Sequence, residues 1–226
     1  QRQMCIRDRY YFIEPGSGYL ACGYVAKGRM EEPMQILSVI NKFFTQQKNV
    51  VKSSFSGKRA LVTAGPTVEV IDPVRYVSNR SSGKMGYAIA EALRDKGAIV
   101  TLISGPTHLS LPEGINVVKV ESADDMFQAV TERFAKQDIV IKAAAVSDYT
   151  PMDILEHKLK KQEGGLSVQF KRTKDILKYL GENKTHQYLV GFAAETQNIE
   201  QYALDKLKRK NADVIISNNV GDTSIG

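Results

Sequence analysis

From residue 60 onward, short apolar runs alternate with longer segments in which apolar side chains recur every three to four positions. The short runs are rich in valine and isoleucine and are typical of strands, whereas the longer repeats are typical of amphipathic helices. We predict strands over 60–64, 98–104, 115–120, 138–146, 166–170, 187–194 and 212–217. Helices are predicted over 85–97, 122–134, 173–180 and 198–210.

Local signals support several of these boundaries. Gly97 lies where a C-terminal cap of the first helix is expected. Ser122 is followed three residues later by Asp125, which is the pattern of a capping box, and Thr173 is predicted to cap the third helix. The run at 138–146 is almost continuously apolar and favours a fully buried central strand. The buried face of the first helix is predicted to consist of Met85, Ala88, Ile89, Ala92 and Leu93.

Strands that alternate with helices indicate βαβ crossovers. The sequence therefore predicts an α/β fold, namely a Rossmann-like, doubly wound, mostly parallel sheet with helices on both faces. Ligands of such sheets bind beyond the carboxyl ends of the strands. The loops that begin at Gly65, Ser104, Ser147 and Glu195 are therefore expected to carry the function.

The N-terminal part of the chain has a different character. Residues 1–9 are predicted to be a non-native leader, because their MCIRDR segment can be read as a translated sequencing adapter. Residues 10–45 combine a Gly/Pro-rich stretch with one helix, and the polar residues 46–57 are predicted to be a linker. The sheet domain then extends over 58–226.

Composition narrows the class of protein. The chain has 226 residues, 42% of them hydrophobic and 25% charged, which is an ordinary globular composition. No apolar run approaches the ~18 residues that a membrane span needs, so no membrane partner is expected. Cys5 and Cys22 do not form a disulfide framework, which favours a reducing cytoplasm. The formal charge of +6 permits an anionic ligand, but no zinc-ligand spacing or RNA-binding aromatic motif points to nucleic acid.

The segment SNRSSGKMG at 78–86 is the strongest candidate for binding an anion. Gly83 allows close approach to the backbone, and the N–H groups at a helix start attract anions. Lys84 lies at the end of the helix where a cation is unfavourable, which makes sense if an anion lies between it and the backbone donors. The alternative is a glycine-rich turn with an ordinary capping serine.

A dinucleotide pyrophosphate is one candidate anion. Nicotinamide enzymes normally carry Asp or Glu after the second strand to bind the ribose hydroxyls, but Ser104, Gly105 and Pro106 occupy that position. Tyr149 is followed four residues later by Asp153, so it does not form a Tyr-x-x-x-Lys pair. An NAD(P)-binding oxidoreductase is therefore the weaker alternative.

Four segments carry a more specific pattern. In chain order they are AGPTVEVIDPVRYVSNRSSGKMG at 64–86, AAAVSDY at 143–149, HKLKK at 157–161 and VGFAAET at 190–196. Together they resemble the phosphopantothenate–cysteine ligase family of coenzyme A biosynthesis, over essentially all of 58–226. The segment at 17–33 resembles the closing part of a flavin-dependent phosphopantothenoylcysteine decarboxylase. The resemblance implies that 10–45 is a decarboxylase remnant and that the ligase domain is truncated at its C-terminus.

The resemblance implies a reaction. Members of this family activate the carboxylate of 4′-phosphopantothenate with CTP, releasing pyrophosphate and leaving an acyl-cytidylate. The amine of L-cysteine then attacks, which gives 4′-phosphopantothenoylcysteine and CMP. Mg²⁺ is expected to accompany CTP, whereas FMN belongs to the intact decarboxylase half and is not expected to bind here. A homodimer is also implied, with a larger assembly in the full-length protein.

Individual residues receive roles from the same resemblance. Asn79 corresponds to the asparagine of the acyl-cytidylate step, and Lys158 to a catalytic lysine on the nucleotide. Lys142 occupies a position where relatives often carry a smaller residue, and Thr173 and Lys174 replace two residues of a family Asn-Pro-Asp-Ile segment. The expected nucleotide-binding residues are Ser81, Ser82, Gly83, Lys142, Asp148, Lys158, Lys160, Asp175, Ile176, Phe192, Lys206 and Lys210. The sequence assigns no metal ligand.

Ordinary structural explanations compete with these roles. Asn79 could simply be a turn residue, since asparagine is common in turns. The lysines at 158–161 could form part of an ordinary solvated surface, and Phe192 could be a core residue. Cys22 corresponds to the proton-donating cysteine of the decarboxylase, but the flavin pocket and catalytic histidine of that domain are not recognisable, so no decarboxylase activity is expected. The three histidines, at 108, 157 and 186, all lie in the ligase region. A non-catalytic nucleotide-binding fragment is the second alternative.

Overall fold

The computed structural model describes residues 16–19, 25–29, 32–38, 55–161, 165–195 and 199–219. The chain divides into two compact units, Gln1–Lys52 and Ser53–Gly226. In the first unit, strands β1 (Gly16–Tyr19) and β2 (Val25–Arg29) form an antiparallel pair, and residues 33–38 are helical.

Within its described residues, the second unit contains a six-stranded sheet, four helices and two hairpins. The sheet strands are β3 (Arg59–Ala64), β6 (Ile99–Ser104), β7 (Asn116–Lys119), β8 (Ile139–Lys142), β11 (Tyr188–Glu195) and β12 (Val214–Asn219). The helices are α1 (Lys84–Asp95), α2 (Ala123–Phe134), α3 (Ile176–Asn183) and α4 (Ile199–Arg209). The hairpins pair β4 (Val68–Asp72) with β5 (Arg75–Ser78), and β9 (Tyr149–Pro151) with β10 (Phe170–Arg172).

The strand order of the sheet is β12-β11-β8-β3-β6-β7, and every neighbouring pair is parallel. This is the doubly wound order in which the direction of winding reverses between the first and the fourth strand, here β3 and β8. The predicted Rossmann-like fold is therefore confirmed. The reversal leaves a crevice at the carboxyl ends of β3 and β8, which is where ligands bind in such sheets.

The two faces of the sheet form two separate cores, because side chains alternate along each strand. On one face, Ala60 and Val62 of β3 pack with α1. On the other face, Leu61 of β3 and Val140 of β8 pack with residues of α2 and α3. Helices thus cover both faces, as predicted, and α1 lies on the face opposite to α2 and α3.

Helix α1 buries a face that differs from the predicted one. Its buried residues are Gly86, Tyr87, Ala90 and Leu93, whereas Met85, Ala88 and Ala92 are exposed. The reason is close packing against β3, because a Cβ atom at Gly86 would lie 2.5 Å from the Cβ of Ala64. Small side chains at this contact bring the helix start next to the end of the strand.

Other local predictions had mixed outcomes. The capping box is confirmed, since Ser122 accepts a hydrogen bond from the N–H of Asp125 and its own N–H donates to that carboxylate. The predicted strand at 166–170 is wrong apart from its last residue, and the central strand β8 covers only four residues of the predicted run. Thr173 does not cap α3; its hydroxyl donates to the carbonyl of Ser147 at 2.7 Å, and Asp175 is the cap.

The hairpin of β4 and β5 lies inside the segment that the sequence predicted to be a loop. Its turn is held by Asp72, whose fully buried carboxylate accepts hydrogen bonds from the N–H groups of Val74, Arg75 and Leu159. The guanidinium of Arg75 pairs with Asp72 and also donates to the carbonyl of Leu159 at 3.3 Å. One buried carboxylate thus ties the hairpin to the loop that carries Lys158 and Lys160.

The contact between α1 and β3 can be tested with Gly86→Ala. The added methyl group would overlap Ala64, so the helix must shift, and we expect a loss of roughly 1–3 kcal/mol in the free energy of unfolding. Urea denaturation measures this loss. Ala88→Ser, on the exposed side of the same helix, is the control and should change stability little; equal stability of all three proteins would contradict the close contact.

The Asp72 network predicts a pH dependence of stability. Burial raises the pKa of Asp72, but the hydrogen bonds from Val74, Leu159 and Arg75 outweigh it and lower the pKa to about 2. Because the folded-state pKa lies below the unfolded value of 3.8, the carboxylate stabilises the fold above about pH 4, and this contribution is lost as the pH falls towards 2.

We therefore expect Asp72→Asn to melt about 5 °C below the wild type at pH 7, and this difference to shrink as the pH falls from 4 towards 2. Thermal unfolding at a series of pH values measures it. Asp153→Asn is the matched control, because Asp153 is exposed in the same region. A difference that persists unchanged at pH 2 would show that the charge of Asp72 is not its cause.

Candidate functional site

The candidate site lies at the carboxyl ends of β3, β8 and β11. The segments that follow β3 and β8 are joined directly to each other. The N–H of Ala145 donates to the carbonyl of Gly65 at 2.9 Å, and the N–H of Thr67 donates to the carbonyl of Ala145 at 3.3 Å. The buried hydroxyl of Thr67 accepts a hydrogen bond from the N–H of Ser147 at 3.0 Å. The rim of the crevice is therefore built from two segments that are distant in sequence.

Asn79 lies on this rim. Its side-chain amide donates to the carbonyl of Ala145 at 3.2 Å, and the side chain is exposed. The preceding residue, Ser78, is fixed because its hydroxyl donates to the carbonyl of Thr67 at 2.7 Å. The amide of Asn79 is thus presented beside the end of β8, within reach of a molecule that occupies the crevice.

The start of α1 lies beside the same crevice. Gly83 is the N-cap, with a φ of 77°, and supplies no side-chain cap. The hydroxyls of Ser81 and Ser82 lie 3.3 Å and 3.4 Å from the nitrogens of Gly83 and Lys84, which donate to them. A Cβ at Gly83 would lie 3.3 Å from the Cα of Gly65, so a larger residue fits neither the space nor the left-handed backbone. Phosphate oxygens bind at such a helix start.

A cluster of lysines faces the crevice from the other side. Lys206 on α4 donates to the carbonyl of Phe192 at 2.8 Å, and Lys210, just after α4, forms an ion pair with Asp175. Lys142 is the last residue of β8, and its ammonium group forms no hydrogen bond with another described residue. Of these three lysines, two therefore have side chains bonded to described residues and one does not.

The charged groups in this cluster change each other's pKa. Burial raises the pKa of Asp175, but hydrogen bonds from Lys210 and from the N–H of Lys178 outweigh it and lower the pKa. The pKa of Lys142 is lowered from 10.5 to about 8, chiefly by desolvation; the charges of Asp175 and Asp148 oppose this lowering, and the charges of Lys206 and Lys210 add to it. Burial, more than repulsion between the lysines, therefore destabilises the charged form of Lys142.

The outer rim carries Asp148, Lys158 and Lys160, all exposed. The backbone carbonyl of Asp148 accepts a hydrogen bond from the N–H of Thr173 at 3.0 Å, which holds the start of the loop. Lys158 and Lys160 flank Leu159, the residue that is bound to Asp72. The lysine loop is thus anchored by its backbone, and its ammonium groups remain in solvent.

Two residues that were expected in the site, Ile176 and Phe192, are at least half-buried. Ile176 is 1% exposed and belongs to the core, so only its backbone can face a ligand, and Phe192 is half-buried with its carbonyl bonded to Lys206. Cys22 lies outside the described residues.

The sequence reasoning missed Asp72 and Arg75, although the Asp-Pro pair at 72–73 was a turn signal.

Ser147 was also missed. It is 5% exposed, and its hydroxyl is the only buried side-chain oxygen or nitrogen of the described residues without a hydrogen-bond partner. No pattern in the sequence distinguishes this serine from any other serine in a loop.

The end of β6 does not resemble a nicotinamide site. Ser104 is buried, and its hydroxyl lies 3.1 Å from the hydroxyl of Tyr87 and donates to the carbonyl of Gly105 at 2.8 Å. A Cβ at Gly105 would lie 1.7 Å from the carbonyl oxygen of Pro66, so the backbones are in close contact there. A ribose-binding carboxylate is absent from the end of this strand, which weakens the dinucleotide alternative.

Two further features are absent from the described residues. These residues contain no group of three or more His, Cys, Asp or Glu side chains that could hold a metal ion. None of the helices in the described part is long and apolar enough to cross a membrane.

Comparison with known proteins agrees with this geometry. Residues 55–226 match the profile of the DNA/pantothenate metabolism flavoprotein C-terminal domain. The chain is 53% identical over 221 residues to the coenzyme A biosynthesis bifunctional protein CoaBC of Bacillus subtilis, a match that covers 97% of this chain and 54% of that protein. The chain thus spans about half the length of this curated relative.

Solved structures agree as well. A crystal structure of the C-terminal domain of CoaBC superposes with a TM-score of 0.67 at 51% identity, covering 74% of this chain and 80% of that one. A Cab2 mutant in complex with phosphopantothenate-cysteine superposes with a TM-score of 0.63, covering 83% and 80%, but at 19% identity it supports the fold alone. The chain therefore belongs to the family of the DNA/pantothenate metabolism flavoprotein C-terminal domain.

Proposed function

We propose that the second unit is a CTP-dependent phosphopantothenate–cysteine ligase of coenzyme A biosynthesis. The observation that carries this proposal is the convergence of the Asn79 segment, the start of α1 and the lysine cluster on one crevice. The relative from Bacillus subtilis is named for coenzyme A biosynthesis, which supports the same assignment. Within the proposal, 4′-phosphopantothenate, L-cysteine and CTP are the substrates.

The first proposed step forms an acyl-cytidylate. A carboxylate oxygen of 4′-phosphopantothenate attacks the α-phosphorus of CTP, and the bond to the bridging oxygen breaks so that pyrophosphate leaves. The attack brings two anions together, so the lysines must neutralise the phosphates before it can occur. Lys142, Lys206 and Lys210 supply this charge from the sheet side, and Lys158 and Lys160 supply it from the outer loop.

The second proposed step is acyl transfer to cysteine. The neutral amine of cysteine attacks the acyl carbon, negative charge develops on the carbonyl oxygen, and CMP leaves as the tetrahedral centre collapses. The proton lost by the amine passes to solvent or to the leaving phosphate. Asn79 donates a hydrogen bond to the oxygen that gains charge in these steps, which is the role of an oxyanion-hole donor.

Mg²⁺ is proposed to enter with the nucleotide. Protein sites for Mg²⁺ often use one or two carboxylates together with substrate phosphates, so a three-ligand protein cluster is not needed. Asp148 fits this requirement because it is exposed at the rim, whereas Asp175 is already paired with Lys210. The ion would supply further neutralisation of the triphosphate.

The decarboxylase half is not part of this proposal. A non-catalytic nucleotide-binding fragment remains the main alternative, and it differs from a ligase by binding CTP without turnover.

Replacement of Asn79 by Ala tests the proposed chemistry. Loss of one oxyanion donor is expected to reduce phosphopantothenate-dependent pyrophosphate release from CTP by about 10²–10³-fold while CTP still binds. Pyrophosphate is measured with and without cysteine. Asn116→Ala is the control, because Asn116 is exposed at the start of β7.

Three outcomes separate the hypotheses. Release that needs phosphopantothenate and collapses only in Asn79→Ala is the expected result. CTP binding without any release would favour the non-catalytic fragment. Binding of a nicotinamide dinucleotide without CTP binding would replace the proposal by the oxidoreductase.

We also propose that the ligase unit forms a homodimer through its two hairpins. Large apolar side chains are exposed on both hairpins and on the segment that joins β9 to β10, and the N–H of Leu155 donates to the carbonyl of Ile71, which links the two hairpins. The exposed residues are Val74, Tyr76, Val77, Tyr149, Met152, Ile154, Leu155, Leu166 and Phe170. A second copy of this chain is the proposed occupant, because contiguous apolar patches on soluble proteins mark contact sites.

Replacement of Tyr76 by Ser is expected to weaken the dimer at least about tenfold, since large aromatic side chains dominate interface energetics. Sedimentation equilibrium measures the dissociation constant. Tyr188→Ser is the control, because Tyr188 is similarly exposed at the opposite end of the sheet. A wild-type protein that remains monomeric at all concentrations would contradict the proposed dimer.

A further inference from the structure

The loop that follows β6 is tied to the start of α1 by a chain of hydroxyl groups. The hydroxyl of Thr107 donates to the hydroxyl of Tyr87 on α1 at 3.2 Å. The Tyr87 hydroxyl lies 3.1 Å from that of Ser104, which donates to the carbonyl of Gly105 at 2.8 Å. Tyr87 and Ser104 are both buried. The chain of bonds begins and ends in the loop and passes through α1, so the loop and the helix hold each other in place.

The methyl group of Thr107 lies beside two glycines that have left-handed backbones. Gly65, just after β3, has a φ of 75°, and Gly83, the N-cap of α1, has a φ of 77°. A Cβ atom on Gly65 would lie 2.9 Å from the methyl carbon of Thr107, and a Cβ atom on Gly83 would lie 2.8 Å from it. The methyl group thus fills the space that side chains at both positions would otherwise occupy.

This packing matters because a glycine adopts positive and negative φ about equally readily, so its neighbours must decide between them. For Gly83, the choice sets the direction of the first N–H groups of α1. For Gly65, it sets the position of a carbonyl that accepts a hydrogen bond from the N–H of Ala145 at 2.9 Å. The carbonyl of Ala145 in turn accepts from Asn79. One methyl group therefore supports two parts of the candidate site.

We propose that Thr107 is a positioning residue, whose methyl group holds Gly65 and Gly83 so that the start of α1 is fixed for binding a polyphosphate. The inference rests on the proposed function, because that proposal places the phosphates of the nucleotide in this crevice. Thr107 lies outside the four segments on which the ligase resemblance rests. It acts through the two glycines, whereas its hydroxyl serves the separate task of fixing the loop to Tyr87.

Two conservative substitutions separate these tasks. Thr107→Val keeps a methyl group beside the glycines and loses the hydrogen bond to Tyr87, whereas Thr107→Ser keeps the hydroxyl and loses the methyl group. Each removes one favourable contact at a half-buried position, so both are expected to lower the melting temperature by roughly 2–4 °C. Thermal unfolding measures this shift.

Binding of a polyphosphate distinguishes the two variants. Inorganic tripolyphosphate is titrated into the full chain and its variants in a calorimeter. Thr107→Val should bind it with the affinity of the wild type. Thr107→Ser should bind it about fivefold more weakly, because glycines that leave the left-handed conformation reduce the population that is competent to bind. A residue with a merely structural role would change the melting temperature alone.

Thr131→Ser is the matched control. Thr131 is also half-buried, but it lies on α2, which packs on the face of the sheet opposite to α1. The same loss of one methyl group there should leave the affinity for tripolyphosphate unchanged.

The outcomes are distinguishable from failure of the ligase proposal. Weaker binding by Thr107→Ser that Thr107→Val does not share would support the inference. Equal affinity of Thr107→Ser and the wild type would overturn it, as would equal weakening in both variants or absence of tripolyphosphate binding by the wild type. Binding that depends on the methyl group, without pyrophosphate release from CTP in the presence of phosphopantothenate, would support the role of Thr107 and reject the ligase activity.

Discussion

The hydrogen bonds between the segments that follow β3 and β8 determine the geometry of the whole site. Gly65 and Thr67 from the first segment bind Ala145 and Ser147 from the second. These contacts close the topological switch point of the sheet into a fixed rim. Asn79 is bonded to the same Ala145 carbonyl, so its position also depends on this junction.

Electrostatics are the basis for proposing that the crevice binds an anion. Lysines lie at the end of β8, on α4 and on the loop around Leu159, and each of these elements is fixed by different contacts. The loop is held by the buried Asp72, whereas α4 is held through the carbonyl of Phe192 and through Asp175. Positive charge is therefore concentrated by the placement of the backbone.

The periodic pattern of the sequence was sufficient to predict the sheet, because strands and helices of a βαβ fold bury regular stripes of apolar residues. It failed where that regularity ends. The run at 166–170 alternates apolar and polar residues as a strand does, yet Leu166 is exposed and only Phe170 enters the edge hairpin. Thr173 and Asp175 are both good capping residues, and tertiary contacts decided between them because Thr173 bonds to Ser147.

The site residues stay predictions. Motif resemblance pointed to Asn79, to the serine loop and to the lysines, and of these Asn79 is bonded at the junction of the segments after β3 and β8. The role of Asp72 could not be read from the sequence, because its partner Leu159 lies 87 residues away. The same holds for Lys142, since the burial that is the main cause of its lowered pKa exists only in the folded chain.

The most direct test of the central claim follows an oxygen atom. 4′-Phosphopantothenate labelled with ¹⁸O in its carboxylate is incubated with CTP, Mg²⁺, L-cysteine and the protein, and the products are analysed by mass spectrometry. Activation through an acyl-cytidylate predicts that one labelled oxygen is transferred to CMP. Label in inorganic phosphate together with formation of CDP would show an acyl phosphate instead, and would contradict the account of the site.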